Sequence, residues 1–151
     1  MFKPIPLNLP AYAANIQRDG TKLLIFDELR KKQLVLTPEE WVRQHWIHHL
    51  IHVKRYPRSL IKIEGGLTLN NMPKRSDLVI YDTQGSKILL AEFKAPSVKI
   101  TQAAFEQIAR YNIVYRVPIL LVSNGLQHYY CRIHFETGRF EFLAELPDYD
   151  C

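Results

Sequence analysis

Four charged side chains within residues 74–96, KRSDLVIYDTQGSKILLAEFKAP, are spaced so that they can act on one ion. If Gln84-Gly85 forms a two-residue hairpin turn, Thr83 faces Ser86, and continuing the ladder places Asp77 opposite Glu92 and Arg75 opposite Lys94. Side chains alternate along a strand, so Asp77, Glu92 and Lys94 project from one face. Directly opposed Cβ atoms lie about 4.5–5.5 Å apart, which lets two carboxylates grip one divalent cation through oxygen bonds of about 2.1 Å. Like charges across a ladder repel, and burying them is costly unless a cation compensates. That cation can be a metal ion, Lys94 or Arg75. The spacing therefore fits a metal site and an ion-pair cluster at a strand end equally well.

The elements around this segment must hold it. Val79, Tyr81, Ile88 and Leu90 share the face of the acids, while Leu78, Ile80, Leu89, Ala91 and Phe93 line the other. The middle of the hairpin is thus apolar on both sides and its open end is charged. Upstream, Thr37, Pro38 and Glu40 read as N-cap, first helical residue and capping-box partner. Val42, Trp46, His49, Leu50 and Val53 then recur as one stripe of an amphipathic helix ending near Pro57. Strands are expected at Leu60–Leu69, Asp77–Tyr81 and Lys87–Phe93, broken by Gly65-Gly66, Asn70-Asn71 and Gln84-Gly85. Thr101–Val114 reads as a second helix, capped by Thr101 or Ser97, with Ala104, Ile108 and Tyr111/Asn112 near one face. Pro118–Val122 reads as a buried strand, and Gln127–Phe135 with Arg139–Leu143 as a closing hairpin. The order is that of an α/β fold with a mixed sheet and helices against it.

Residues 1–36 are less regular: a proline-rich lead, a short extended piece at Tyr12–Ile16, a turn at Gly20, a strand at Lys22–Phe26 and a short polar helix from Asp27 to Lys32. Their apolar content predicts an extension packed on the core of a single domain spanning 1–151. At 151 residues the chain is long enough to bury a core without disulfides or structural metal. It is 47% hydrophobic and 23% charged, which excludes wholesale disorder. No apolar run is long enough to span a bilayer, the first residues lack the apolar stretch of a secretory signal, and two cysteines make no disulfide framework, so a cytoplasmic setting is expected. No phosphate-binding G-x-x-x-x-G-K-[ST] loop is present, which argues against a nucleotide-driven motor. The net charge of +5 leans towards a polyanionic partner but does not decide it.

Asp77 followed by Glu92-Phe93-Lys94 resembles the D…(D/E)-x-K core of the PD-(D/E)xK nuclease superfamily, although Ser76 stands where a proline often precedes the aspartate. Gln107-Ile108-Ala109-Arg110-Tyr111 is similar to the Q-x-x-x-Y motif of its recombination and restriction branch. Residues 37–44, TPEEWVRQ, and Val122-Ser123-Asn124-Gly125 resemble the N-terminal nuclease domain of type I restriction endonuclease R subunits, and more narrowly the short stand-alone proteins that carry that domain. The resemblance implies a restriction-endonuclease-like core and phosphodiester hydrolysis dependent on Mg²⁺, with Mn²⁺ as substitute. It assigns the metal to Asp77, Glu92 and the carbonyl of Phe93, and the attacking water or developing charge to Lys94. An acid early in the first helix would complete the site. Glu39 shares a face with Val42, Arg43 and Trp46 and is preferred to Glu40. Gln107 and Tyr111, one turn apart, would sit beside the site. DNA is the expected partner, touched by Arg75, Tyr111, Lys54 and Arg55. A homodimer would cut both strands, and separate motor or specificity subunits would complete a restriction complex. The alternative is a non-catalytic DNA-binding or partner-docking module on the same scaffold.

Other features read more plainly. His45, His48, His49 and His52 have helical spacing suited to a transition metal, but no Cys or acidic residue of the sequence supplies an obvious third or fourth ligand beside them, and solvated or partly packed histidines are expected. Lys54, Arg55 and Arg58 can meet phosphates or complement the helix dipole. Trp41, Trp46, Tyr111 and Tyr115 are expected in the core rather than as base-stacking groups, Cys131 as a buried small hydrophobe, and Glu64 as a surface charge before a turn.

Overall fold

A computed structural model of the chain describes residues 2–63 and 78–150, the backbone of 67–69 and 72–74, and only the backbone at Tyr111 and Val114. The elements run β1 (Ile16–Asp19), β2 (Lys22–Asp27), β3 (Lys32–Val35), α1 (Pro38–His52), β4 (Ile61–Lys62), β5 (Leu67–Leu69), β6 (Met72–Lys74), β7 (Leu78–Tyr81), β8 (Lys87–Phe93), α2 (Gln102–Tyr115), β9 (Ile119–Ser123), β10 (His128–His134) and β11 (Arg139–Leu143). Six strands form the central sheet in the order β11-β10-β9-β8-β7-β4. Only β8 and β9 are parallel within it, as a crossover through α2 requires, and the other neighbours are antiparallel. Among the described residues the fold is α/β with a mixed central sheet and two α-helices.

Alternation along the central strands builds two cores. Leu78, Ile80, Leu89, Ala91, Phe93 and Leu121 meet Val42, Trp46, Ile47 and Leu50 of α1. Val79, Leu90, Leu120, Val122 and Cys131 meet Phe105, Ile108 and Ala109 of α2 on the opposite face. A third cluster of Ile25, Leu36 and Trp41 joins the small β1-β2-β3 sheet to α1. That layer explains why α1 is not the one-sided helix its stripe predicts. Gln44 and His45 are buried along with Val42 and Trp46, because α1 is covered by the central sheet on one side and by residues of the N-terminal 36 on the other. Among the described residues no helix is long and apolar enough to cross a membrane.

Several boundaries move for identifiable reasons. The polar helix expected at Asp27–Lys32 is a turn joining β2 to β3: the buried Asp27 carboxylate accepts from the backbone N–H of Leu29 at 2.8 Å and of Arg30 at 3.0 Å, and from Arg30 Nε at 2.7 Å. Aspartate that bonds its own following backbone favours a turn over helix propagation. Helix α1 ends at His52, and Val53 is exposed. The strand expected from Leu60 to Leu69 is divided: Arg58–Leu60 is a short 3₁₀ turn, Ile61–Lys62 joins the central sheet, and Leu67–Leu69 pairs with Met72–Lys74. The breaks expected at Gly65-Gly66 and Asn70-Asn71 lie outside the described residues, as does Glu64.

The β7–β8 hairpin pairs Leu78 with Ala91, Val79 with Leu90 and Ile80 with Leu89, the register expected from sequence. It reaches that register by another route. Asp82 N–H donates to the Ser86 carbonyl at 2.8 Å, so the loop has three residues, with Gly85 at φ +87°. The Asp82 carboxylate braces it, accepting from the N–H groups of Gln84 at 2.9 Å and Ser86 at 2.8 Å. Tyr81 then pairs with Lys87, and a bulge on β8 leaves Ile88 as the extra residue before Leu89. Loop and bulge offset each other by one residue. Ile88, expected on the face of Leu90, packs instead against the α1-side core.

Candidate functional site at the end of β8

Glu92 follows Leu90 in the alternation and so belongs to the α2 side of the sheet, at the carboxyl end of β8. It is 9% exposed, a carboxylate almost withdrawn from water. Its Oε1 lies 3.1 Å from Lys94 Nζ, and the Lys94 side chain is 39% exposed. The pair therefore runs from the sheet's interior to its surface, with the ammonium at the wet end. On the backbone, Lys94 N–H donates to the Ser123 carbonyl at 2.9 Å, extending the β8–β9 ladder beyond Phe93. The Asn124 carboxamide ties the next loop down, donating to the Val98 carbonyl at 2.9 Å and accepting from Leu126 and Gln127 N–H.

The same strand ends are held from the α1 side. Trp46, fully buried, donates its Nε1–H to Ser123 Oγ at 2.8 Å and lies parallel to the Phe93 ring at 6.4 Å. Ser123 Oγ also accepts Gly125 N–H at 2.9 Å and stands 2.7 Å from His128 Nδ1. His128 Nε2 faces the Asn8 carbonyl at 2.7 Å, an acceptor only, so Nε2 carries the proton and Ser123 donates to Nδ1. A serine beside a histidine here is a brace, not a nucleophile, because its hydroxyl is buried and fully engaged. Gly125 sits at φ +87°, where a Cβ would come within 2.8 Å of Leu7 and 3.1 Å of Val42. The Ser123-Asn124-Gly125 run is legible in the sequence as the turn that closes the Pro118–Val122 strand; its partners Trp46 and His128 are not.

Residues 38–147 match the family described as Type I restriction enzyme R protein N terminus. This chain belongs to that family. Among solved structures, a fragment described as an HsdR subunit of a type I restriction enzyme from Vibrio vulnificus YJ016 is 19% identical over 58% of this chain, with a TM-score of 0.36. This chain spans 16% of the length of that one. No curated protein sequence matches.

The R-protein N-terminal domain places the other expected site residues unevenly. Asp77 and Arg75 lie outside the described residues, as does the side chain of Tyr111. Gln107 is on α2 but exposed, and among the described residues no hydrogen bond joins it to Glu92 or Lys94. Glu39, expected to face the sheet, is exposed, and Glu40 is the buried acid, accepting from Gln44 Nε2 at 2.9 Å and pairing with Arg43 Nε at 3.2 Å. The expected face failed because α1 is covered on two sides, so the wheel position nearest the sheet is not the only buried one. Thr37 Oγ1 does cap the helix by accepting Glu40 N–H at 3.1 Å. Lys54 and Arg55 follow α1 at the other end of the sheet, where Tyr56, Ile88 and Ile119 line a groove with Arg132 and Phe140. Lys54 is also engaged, its ammonium 3.4 Å from Asp148 with the side chain 15% exposed. Neither basic residue is beside Glu92.

The buried histidines of this region predict a loss of stability in acid. Burial pushes the His128 imidazole below the usual value of 6.5, against the hydrogen bond to Asn8, and burial likewise lowers His45, whose Nδ1 faces the Trp41 carbonyl at 3.0 Å. A histidine held neutral binds fewer protons folded than unfolded, so its contribution is present above the unfolded pKa of about 6.5 and is lost as pH falls through and below it. The thermal midpoint is expected to fall between neutral pH and mildly acid pH, and to fall less steeply in His128→Asn. Differential scanning fluorimetry across that range checks it; an unchanged slope in the variant would remove His128 from the account.

Proposed function

We propose that this domain is a Mg²⁺-dependent DNA nuclease module of a type I restriction system, working in the cytoplasm alongside motor and specificity subunits. The observation that carries this reading is the buried Glu92 carboxylate paired with a solvent-reaching Lys94 at a strand end, in a chain of the R-protein N-terminal family. A carboxylate joined by a backbone carbonyl would make a hard-oxygen donor set, which suits Mg²⁺ and not a thiophilic ion. Glu92, the carbonyl of Phe93 and Asp77, which immediately precedes β7 in the chain, would hold it. A Mg²⁺ there would supply positive charge that polarises the phosphodiester and makes water more acidic.

The chain's own groups do the rest. Lys94 stands where its ammonium can leave the Glu92 carboxylate for a phosphoryl oxygen or an attacking water. Gln107, Tyr111 and Arg75 would position DNA. Glu40 is better placed than Glu39 for any role that needs a buried acid. Two copies would be needed to cut both strands by one site each.

The test is a cleavage assay on duplex, single-stranded and branched DNA with Mg²⁺ or Mn²⁺, alone and after reconstitution with motor and specificity subunits. Metal-dependent cleavage that EDTA stops and Asp77→Asn abolishes is the expected result. Salt-sensitive DNA binding, indifferent to metal and accompanied by no cleavage in any assembly, would replace this reading with that of a DNA-binding module.

A further inference from the structure

The histidines of α1 acquire an acidic neighbour that the sequence does not reveal. His48 and His52 are one helical turn apart, the spacing that lets two imidazoles share an ion. The β2–β3 turn carries Glu28 against them: Oε1 is 3.3 Å from His48 Nδ1, and Oε2 is 3.1 Å from His52 Nε2. One donor atom from each of the three residues falls within 4.8 Å of the others. Each imidazole is met by a different oxygen of the one carboxylate, so Glu28 can offer an ion seated between the histidines one or both of its oxygens. We propose that Glu28, His48 and His52 form a binding site for a divalent transition metal, best matched to Zn²⁺, which clasps the β1-β2-β3 layer to α1.

The surroundings hold these groups in place. The Asp27 carboxylate fixes the turn that presents Glu28. The Tyr12 ring stacks on His48 with centroids 4.3 Å apart, orienting its imidazole. His52 is partly exposed, which leaves a fourth position open to water. Two imidazoles and one carboxylate select Zn²⁺, Co²⁺ or Ni²⁺ over Mg²⁺, which prefers oxygen. One group opposes the metal: Arg58 NH2 lies 3.0 Å from Glu28 Oε2 and NH1 donates to the Glu28 carbonyl at 3.3 Å. Arg58 already neutralises the carboxylate and must yield to the ion, so removing it should tighten binding. The site is separate from the Glu92–Lys94 pair and does not depend on the nuclease reading.

The probe is Co²⁺ titrated into the EDTA-treated, dialysed protein at neutral pH, read by visible absorption, followed by Zn²⁺ displacement. One equivalent of Co²⁺ is expected to bind, to be displaced by Zn²⁺ and not by millimolar Mg²⁺, and to raise the thermal midpoint. His48→Ala/His52→Ala and Glu28→Gln should each weaken binding at least tenfold, Arg58→Ala should strengthen it several-fold, and His134→Ala, at an exposed histidine paired with Glu141, should leave it unchanged. Far-ultraviolet circular dichroism verifies the fold of each variant, and the single His52→Ala change at an exposed side chain serves if the double variant does not fold. No Co²⁺ binding by the wild type, or equal binding by the wild type and Glu28→Gln, overturns the proposal and leaves an ion-pair clasp.

Discussion

Glu92→Gln is expected to lower the rate of metal-dependent DNA cleavage by at least about a thousandfold, which is about 4 kcal/mol of transition-state stabilisation, while moving the thermal midpoint by only a few degrees. The amide keeps the shape of the side chain and an oxygen for Lys94, but removes the charge that would hold Mg²⁺. Lys94→Met should behave differently. It withdraws the cation 3.1 Å from a carboxylate that is 9% exposed, and leaving that group without its partner should cost about 1–3 kcal/mol in urea denaturation. The double variant should then be more stable than Lys94→Met alone, because the neutral amide no longer needs the ammonium. Such non-additivity is the signature of a coupled pair. Rates on labelled duplex measure the first effect and denaturation midpoints the second. If Glu92→Gln cleaves at the wild-type rate, Glu92 holds no catalytic metal.

What could be read in the sequence was local. The β8 strand from Lys87 to Phe93, the N-caps Thr37 and Thr101, and the register Leu78 to Ala91 follow from alternation, capping chemistry and turn residues within a few positions of one another. The register was right although the loop was not, since the three-residue loop and the Ile88 bulge displace the ladder in opposite senses. What could not be read was set by distant segments. No periodicity in residues 1–36 announces that they cover α1, and without that cover Glu40, Gln44 and His45 look solvent-facing. Glu28 is 20 residues or more from both of its histidines, so no spacing rule links them. The same holds for Ser123, which Trp46 reaches across 77 residues. In the candidate site, Glu92 and Lys94 were legible because they are neighbours on one strand. Gln107 was less so, because a motif on a helix does not by itself fix that helix's rotation against the sheet.

Trp46→Ala is expected to destabilise the domain by about 3–5 kcal/mol, the range for removing a fully buried aromatic side chain, enough to consume a large part of the stability of a domain this size. The loss has two components that can be separated. One is the cavity left between α1 and the ends of β8 and β9, where the indole packs near Phe93 and His128. The other is the hydrogen bond to Ser123 Oγ. Trp46→Phe keeps much of the packing and removes the donor, so it should cost less than Trp46→Ala, with about 1 kcal/mol of its cost coming from the hydrogen bond. Ser123→Ala removes the acceptor, and in a double-mutant cycle with Trp46→Phe the two effects should fall short of additivity by a similar amount. The consequence extends to the opposite face of the sheet. Ser123 pairs with Phe93 and its carbonyl receives Lys94 N–H, so loosening the indole frees the backbone that carries both Glu92 and Lys94. Trp46→Phe should therefore reduce cleavage more than its small stability cost explains, without changing which metal supports it. A Trp46→Ala protein destabilised by less than about 1 kcal/mol in urea would mean that the strand ends hold their positions without α1.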